Sequence, residues 1–210
     1  HATYHTSPPT TRKVRGRKFE RSELNGWFEE RRPAMLVHGI AGIGKSTLVA
    51  NWLEAIQAND EHLSVCWYPC QPWDTVTGLA VSLLHRFGID DQHDPYDLMS
   101  TLPLQPGAQL NIDLWRRRLL AYLTDARTIR DRFDPSRRGP PPYWLVVIDD
   151  AHHLTEQGGA FYGALLSLAE KTPVRLLFIS RRTMDFYDQR DVHTRDLIRE
   201  LPLEGLPLDV

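Results

Sequence analysis

The nine residues Gly39-Ile40-Ala41-Gly42-Ile43-Gly44-Lys45-Ser46-Thr47 constrain this chain more than any other stretch of it. They satisfy G-x-x-x-x-G-K-[ST] at every restricted position. Before them lies a short apolar run, 34–38, and after them Leu48, Val49, Trp52, Leu53 and Ile56 recur at the 3–4 spacing of one helix face. A loop passing from a buried strand into a helix turns backbone N–H groups and the positive end of the helix dipole toward one point. Glycines let that backbone close around an anion, and a lysine adds a mobile point charge. Packing alone requires neither Lys45 nor the Ser46 hydroxyl. The pattern therefore predicts a phosphate site built from Gly39, Gly42, Ile43, Gly44, Lys45, Ser46 and Thr47, with Ser46 offering its hydroxyl to Mg2+. The chain has only four lysines against 21 arginines, which makes a lysine at this position telling.

A magnesium phosphate site also needs a carboxylate at the carboxyl end of a neighbouring strand. The run 143–148 is apolar enough for a strand buried on both faces, and Asp149-Asp150 follows it. Asp149 is expected to hold Mg2+, through water, and Asp150 to orient or deprotonate the attacking water. Outside this context the pair would read as a strand-end turn with a helix N-cap. An aspartate reaches less far than a glutamate, so slow hydrolysis is expected. A further apolar strand, 174–179, ends in Ser180-Arg181-Arg182. A guanidinium at that edge can meet a γ-phosphate. Strand alternation favours Arg181 and turns Arg182 to the opposite side, unless the strand has already ended, which leaves the choice between them open; a plain solvent-exposed arginine pair is the other reading.

Strands predicted at 34–38, 62–68, 143–148, 174–179 and 197–203 alternate with helices at 45–56, 76–87, 112–123 and 155–170. A short amphipathic helix around Leu24, Trp27 and Phe28 precedes them. This alternation argues for an α/β fold, the three-layer sandwich of P-loop NTPases, with a mainly parallel central sheet of about five strands. Residues 1–13 (HATYHTSPPTTRK) have the composition of a flexible tether, leaving 14–210 as the nucleotide-binding domain. Lys45 and Asp149 lie 104 positions apart, longer than a compact core needs, and the excess falls at about 89–142 as an insertion. Its Asp134 to Pro142 portion, with three consecutive prolines, reads as surface elaboration.

The 210 residues carry a formal net charge of −2, so no basic field draws the whole chain to nucleic acid or to anionic membrane. No apolar run approaches the roughly 20 residues that span a bilayer, and a cytoplasmic location without membrane partners is expected. Cys66 and Cys70, in C-W-Y-P-C, match neither zinc nor redox spacing and read as reduced strand residues. The chain opens on His1 and its last residues show no terminating pattern, which reads as part of a longer polypeptide.

Four landmarks now stand in order, and together they resemble the STAND-class NTPases, the signal-transduction ATPases that include the NB-ARC and NACHT groups. Val14-Arg15-Gly16-Arg17 with Glu20 and Leu24 resembles their G-R-x-x-E-x-x-x-L opening. Gly39 to Thr47 matches their P-loop, Leu145 to Ala151 their Walker B strand, and Ile179-Ser180-Arg181 their sensor strand. The resemblance spans about residues 14–208. It implies an ATP-dependent switch: ADP holds a closed monomer, and exchange for ATP permits self-association. It also implies that Arg15 and Arg17, with the backbone near Val14, line the adenine and ribose side. Asp150-Ala151-His152 resembles a D-D-x-H found in some members; His152 is expected to cap the next helix, with polarising the site as the other reading. Gly205-Leu206-Pro207-Leu208 looks like the G-L-P-L of NB-ARC lids, yet follows Arg181 too closely for a lid helix to intervene. Leu201 to Leu208 reads instead as the last strand leading toward a lid.

The main rival is a DNA-handling ATPase of the replication-initiator or transposition-helper type, which shares the P-loop and Walker B signatures. Arg116-Arg117-Arg118 and Arg137-Arg138 could neutralise phosphates in such a protein, although a solvated helix face explains the first cluster as well. On this reading ATP or ADP with Mg2+ is the ligand, and nucleic acid is not expected as a partner. No N-K-x-D for guanine is present, and no acceptor pocket of a small-molecule kinase can be named.

Overall fold

In the computed structural model of the chain, residues 8–9, 16–60, 62–105, 107–125 and 143–205 are described. The elements run α1 (Lys18–Glu29), β1 (Ala34–His38), α2 (Lys45–Gln57), β2 (Leu63–Pro69), α3 (Val76–Phe87), α4 (Ile112–Thr124), β3 (Tyr143–Asp149), α5 (Gly158–Lys171), β4 (Val174–Ser180), α6 (Gln189–His193) and β5 (Ile198–Pro202). All five strands are parallel, in the order β2-β3-β4-β1-β5. The predicted strands and main helices are therefore present, with bounds shifted by at most three residues.

Alternation along each strand divides the core in two. Met35 and Val37 of β1, Leu145 and Val147 of β3, and Leu177 and Ile179 of β4 pack with Leu24, Trp27, Leu48, Trp52 and Leu53 of α1 and α2. Ala34 and Leu36, Val146 and Ile148, and Leu176 and Phe178 face the opposite way, onto α3, α4 and α5. Two helical layers thus enclose one sheet, because strands buried on both faces must be covered on both.

Over its described part, the long segment after α3 belongs to this core. Ile89, Leu98 and Leu110 are buried, and Trp115 of α4 meets Phe161 of α5 with ring centroids 5.0 Å apart. Residues 126–142, including the proline run and Arg137-Arg138, lie outside the described residues. The short helix α6 had no apolar periodicity to announce it. It forms on a capping box in which Asp188 and Asp191 each accept from the other's backbone N–H.

Candidate functional site

The strand order brings the predicted residues to one edge. Because β4 lies between β1 and β3, the loop after β1, the acidic pair after β3 and the arginines after β4 emerge side by side. A cavity of about 320 Å3 opens there, lined by Ala41, Gly42, Gly44, Lys45, Ser46, Thr47, Asp150 and Arg181.

The glycine loop has the backbone that the motif demands. Gly42 and Gly44 have φ of 78° and 91°, in the left-handed region that favours glycine. Gly39, with φ of 153°, is needed for space as well: a Cβ there would lie 2.5 Å from the Leu203 carbonyl oxygen. That close approach is fixed by the Leu203 N–H, which donates to the His38 carbonyl at 2.7 Å. Lys45 is 7% exposed, and its Nζ donates to the carbonyls of Gly39 (2.7 Å) and Ile40 (2.9 Å), bracing the loop from within. Burial pulls its ammonium below the usual value, against the charges of Asp150 and Asp149, which hold it up.

Ser46 and Asp149, 103 positions apart in sequence, meet here: the Ser46 hydroxyl donates to Asp149 Oδ1 at 2.9 Å. The same oxygen accepts the Asp150 backbone N–H at 2.9 Å. Burial pushes the Asp149 carboxyl above the ordinary range; the Ser46 hydrogen bond opposes this, and the nearby Asp150 charge adds to it. A hydroxyl and a carboxylate converging beside a backbone cradle form a hard-oxygen donor set of the kind Mg2+ takes, so the residues present fit that ion.

Arg181 lines the cavity and Arg182 does not; the Arg182 backbone N–H bonds Ser180 Oγ at 3.3 Å. Arg17 stands close to the phosphate loop, but its guanidinium is engaged by Glu20 (2.6 Å) and by the Ile43 carbonyl (3.4 Å). Val14 and Arg15 lie outside the described residues, as do Leu206 to Leu208. His152 does not cap α5, whose N-cap is Gln157. It sits instead in a single 3-10 turn, Ala151–His153, with both ring nitrogens buried and unpaired. Burial and the adjacent His153 push it toward the neutral form. Cys66 and Cys70 are buried and form no disulfide, and burial pushes the Cys70 thiol up to about 12. The arginine cluster of α4 is partly offset in place: Arg116 and Arg117 share Asp113, and Arg118 pairs with Asp97, so two carboxylates face three guanidinium groups.

What sequence reasoning missed is the support beneath the acidic pair. Tyr162 of α5 donates to the Ala151 carbonyl at 2.9 Å, and the Cys70 backbone N–H donates to the Asp149 carbonyl at 2.8 Å. Neither residue carries a local signal of that role.

The model of the AAA ATPase domain family matches residues 13–179, most of the chain. The chain belongs to the AAA ATPase domain family. Membership implies ATP binding and hydrolysis, and it does not single out the NB-ARC or NACHT groups. No curated protein matches this ATPase domain in sequence. Among solved structures it is similar to Cdc6p from Pyrobaculum aerophilum (TM-score 0.57, 13% identity, 93% of this chain and 48% of that one). It is also similar to the Orc1 protein of Aeropyrum pernix, solved in complex with DNA (0.60, 15%, 90% and 45%). A third similar structure is the signal transduction ATPase with numerous domains (STAND) from Pyrococcus horikoshii, which has a tetratricopeptide repeat sensor (0.58, 17%, 98% and 25%). The domain spans less than half the length of each. At these identities the likeness shows the α/β P-loop fold. It gives no support to the expectation that nucleic acid is not a partner, since one of these proteins was solved on DNA. Among the described residues no helix is long and apolar enough to cross a membrane.

Proposed function

We propose that this domain binds ATP and ADP with Mg2+, hydrolyses ATP slowly, and acts as a nucleotide-dependent switch controlling self-association of a larger regulatory or defence protein. The observation that carries the nucleotide reading is the single cavity that gathers Lys45, Ser46, Asp150 and Arg181 around left-handed glycines, with Asp149 bonded to Ser46 behind it. The switch reading is supported by the ordered STAND-like landmarks and by the likeness to the Pyrococcus protein.

In this reading the loop N–H groups and Lys45 hold the β- and γ-phosphates, and the Lys45 ammonium leaves the Gly39 and Ile40 carbonyls to do so. Ser46 and Asp149 hold Mg2+, which when bound neutralises charge on the phosphates. Asp150 orients the attacking water and accepts its proton, and Arg181 meets the γ-phosphate. The adenine side falls to Val14, Arg15 and Arg17. Lys45→Ala should weaken ATP binding at least about a hundredfold, ~2.7 kcal/mol, while leaving the fold intact; binding at parental strength would refute the assignment.

A second reading stands on the DNA-bound Orc1 structure: a DNA-handling ATPase of the replication-initiator or transposition-helper type. Salt-dependent shift assays with duplex DNA separate the two. Retention at low salt that weakens steeply with added salt favours this reading, and none at low salt removes it.

A further inference from the structure

Asp150 is not a glycine, yet its backbone is left-handed, with φ 50° and ψ 40°. Such a conformation persists in an ordinary residue only where its surroundings over-determine it. Here they do, through an unbroken set of bonds. The Asp149 carbonyl accepts from the Cys70 N–H at 2.8 Å, the Asp150 carbonyl from the His153 N–H at 2.9 Å, and the Asp150 N–H reaches Asp149 Oδ1 at 2.9 Å. The Ala151 carbonyl accepts the Tyr162 hydroxyl at 2.9 Å, while the Leu154 N–H stands farther away at 3.4 Å.

Among these bonds, that of Tyr162 is the one a side chain makes from another layer of the fold. The residue is fully buried, and its ring is clamped by Phe178 (centroids 5.1 Å apart) and Phe186 (5.5 Å). Burial drives its hydroxyl far above the ordinary range, so the proton stays on the oxygen as a permanent donor. The clamp holds that donor in one direction, against the residue next to Asp150.

Resting on the reading of Asp150 as the group that prepares the water, we propose that Tyr162 is a positioning residue for hydrolysis: its hydroxyl fixes the strained turn and so aims the Asp150 carboxylate into the cavity. A hydroxyl that served only packing would affect stability and binding generally. One that aims Asp150 acts on the chemical step and through Asp150 alone.

The test uses the whole chain in single-turnover ATP hydrolysis and nucleotide titration, with Tyr162→Phe, Asp150→Asn and the double variant. Tyr162→Phe should bind Mg-ATP within about twofold of the parent and hydrolyse it about tenfold more slowly, ~1.4 kcal/mol in the barrier. The double variant should be no slower than Asp150→Asn, because the two losses act through one group. Hydrolysis at the parental rate, or a loss that multiplies with that of Asp150→Asn, would overturn the proposal. Melting curves provide a check that needs no nucleotide. Tyr162→Phe should lower the melting temperature of the parent more than that of Asp150→Gly, in which the left-handed turn is unstrained. Equal losses in both backgrounds, or unfolding in both, would mean that the hydroxyl serves the core at large and would also overturn it. Should the parent itself neither bind nor hydrolyse ATP, the functional reading fails, and the melting comparison still decides what Tyr162 holds.

Discussion

The phosphate loop and the acidic corner face each other across one cavity and solve the same backbone problem differently. Both need left-handed residues at the sheet edge. The loop uses Gly42 and Gly44, which adopt that conformation at no steric cost. The corner uses Asp150, which, unlike a glycine, has a Cβ that meets a steric cost in the left-handed region, though a smaller one than most side chains meet. It is held by Cys70, just past the end of β2, and by α5 through Tyr162. The loop is specified locally, the corner by the whole sandwich. A chemical side chain at a strained position has to be held from elsewhere, and that support leaves no motif behind.

The contrast can be broken at several points. The largest effect is expected at the corner: Asp150→Asn should slow single-turnover hydrolysis by a factor between about 100 and 10,000, the usual worth of a positioned general base. Binding of Mg-ATP should survive, and an unchanged rate would remove Asp150 from the chemistry.

Next comes the root of the loop. Gly39→Ala must place a Cβ 2.5 Å from the Leu203 carbonyl oxygen, a clash with backbone rather than with a flexible side chain. A loss of about 1–3 kcal/mol in chemical denaturation is expected.

A smaller, paired effect sharpens the comparison directly. Gly42→Ala, in open space but at φ 78°, should destabilise by ~1 kcal/mol. Asp150→Gly should stabilise by less than that, because the strain relieved at the native residue is partly offset by the freedom that glycine gives the unfolded chain. If both substitutions move stability in the same direction, the two regions do not differ in the way argued here.

The smallest effect concerns pH. Burial holds the folded-state pKa of Asp149 above its unfolded value, so this group favours the fold below the unfolded value and loses that contribution as pH rises through the folded one. Asp149→Asn, without nucleotide, should therefore gain stability relative to the parent as pH rises from acid to neutral, while losing the Mg2+-dependent part of binding. If the melting temperature of Asp149→Asn minus that of the parent stays flat or falls over that range, this expectation is contradicted.

The same division explains what was readable in the sequence. The β1 strand, the loop and α2 follow from glycine spacing and helical periodicity within 25 residues of one another, and their bounds differ by at most one residue from expectation. Asp149 and Arg181 were legible because strand ends in a parallel sheet share an edge; the strand order then determines which loops are adjacent. His152 was read as a cap because it follows the acidic pair, but the chain makes one 3-10 turn first and reaches α5 through Gln157, itself at φ 56°. Residues 89–110 read as part of an insertion because their apolar side chains are irregularly spaced, although Ile89, Leu98 and Leu110 are buried. Tyr162 lies on the apolar face of α5 and reads as ordinary core; only the fold reveals the carbonyl beneath its hydroxyl.

The central claim is that the glycine loop and the acidic corner form one Mg-nucleotide site. Equilibrium titration of ATP into the purified chain, with and without Mg2+, tests it most directly, with Lys45→Ala and Asp149→Ala run alongside. The account predicts saturable binding that Mg2+ strengthens, lost at least about a hundredfold in Lys45→Ala, and stripped of its Mg2+ dependence in Asp149→Ala. No binding by the parent, or binding that neither substitution alters, would contradict it.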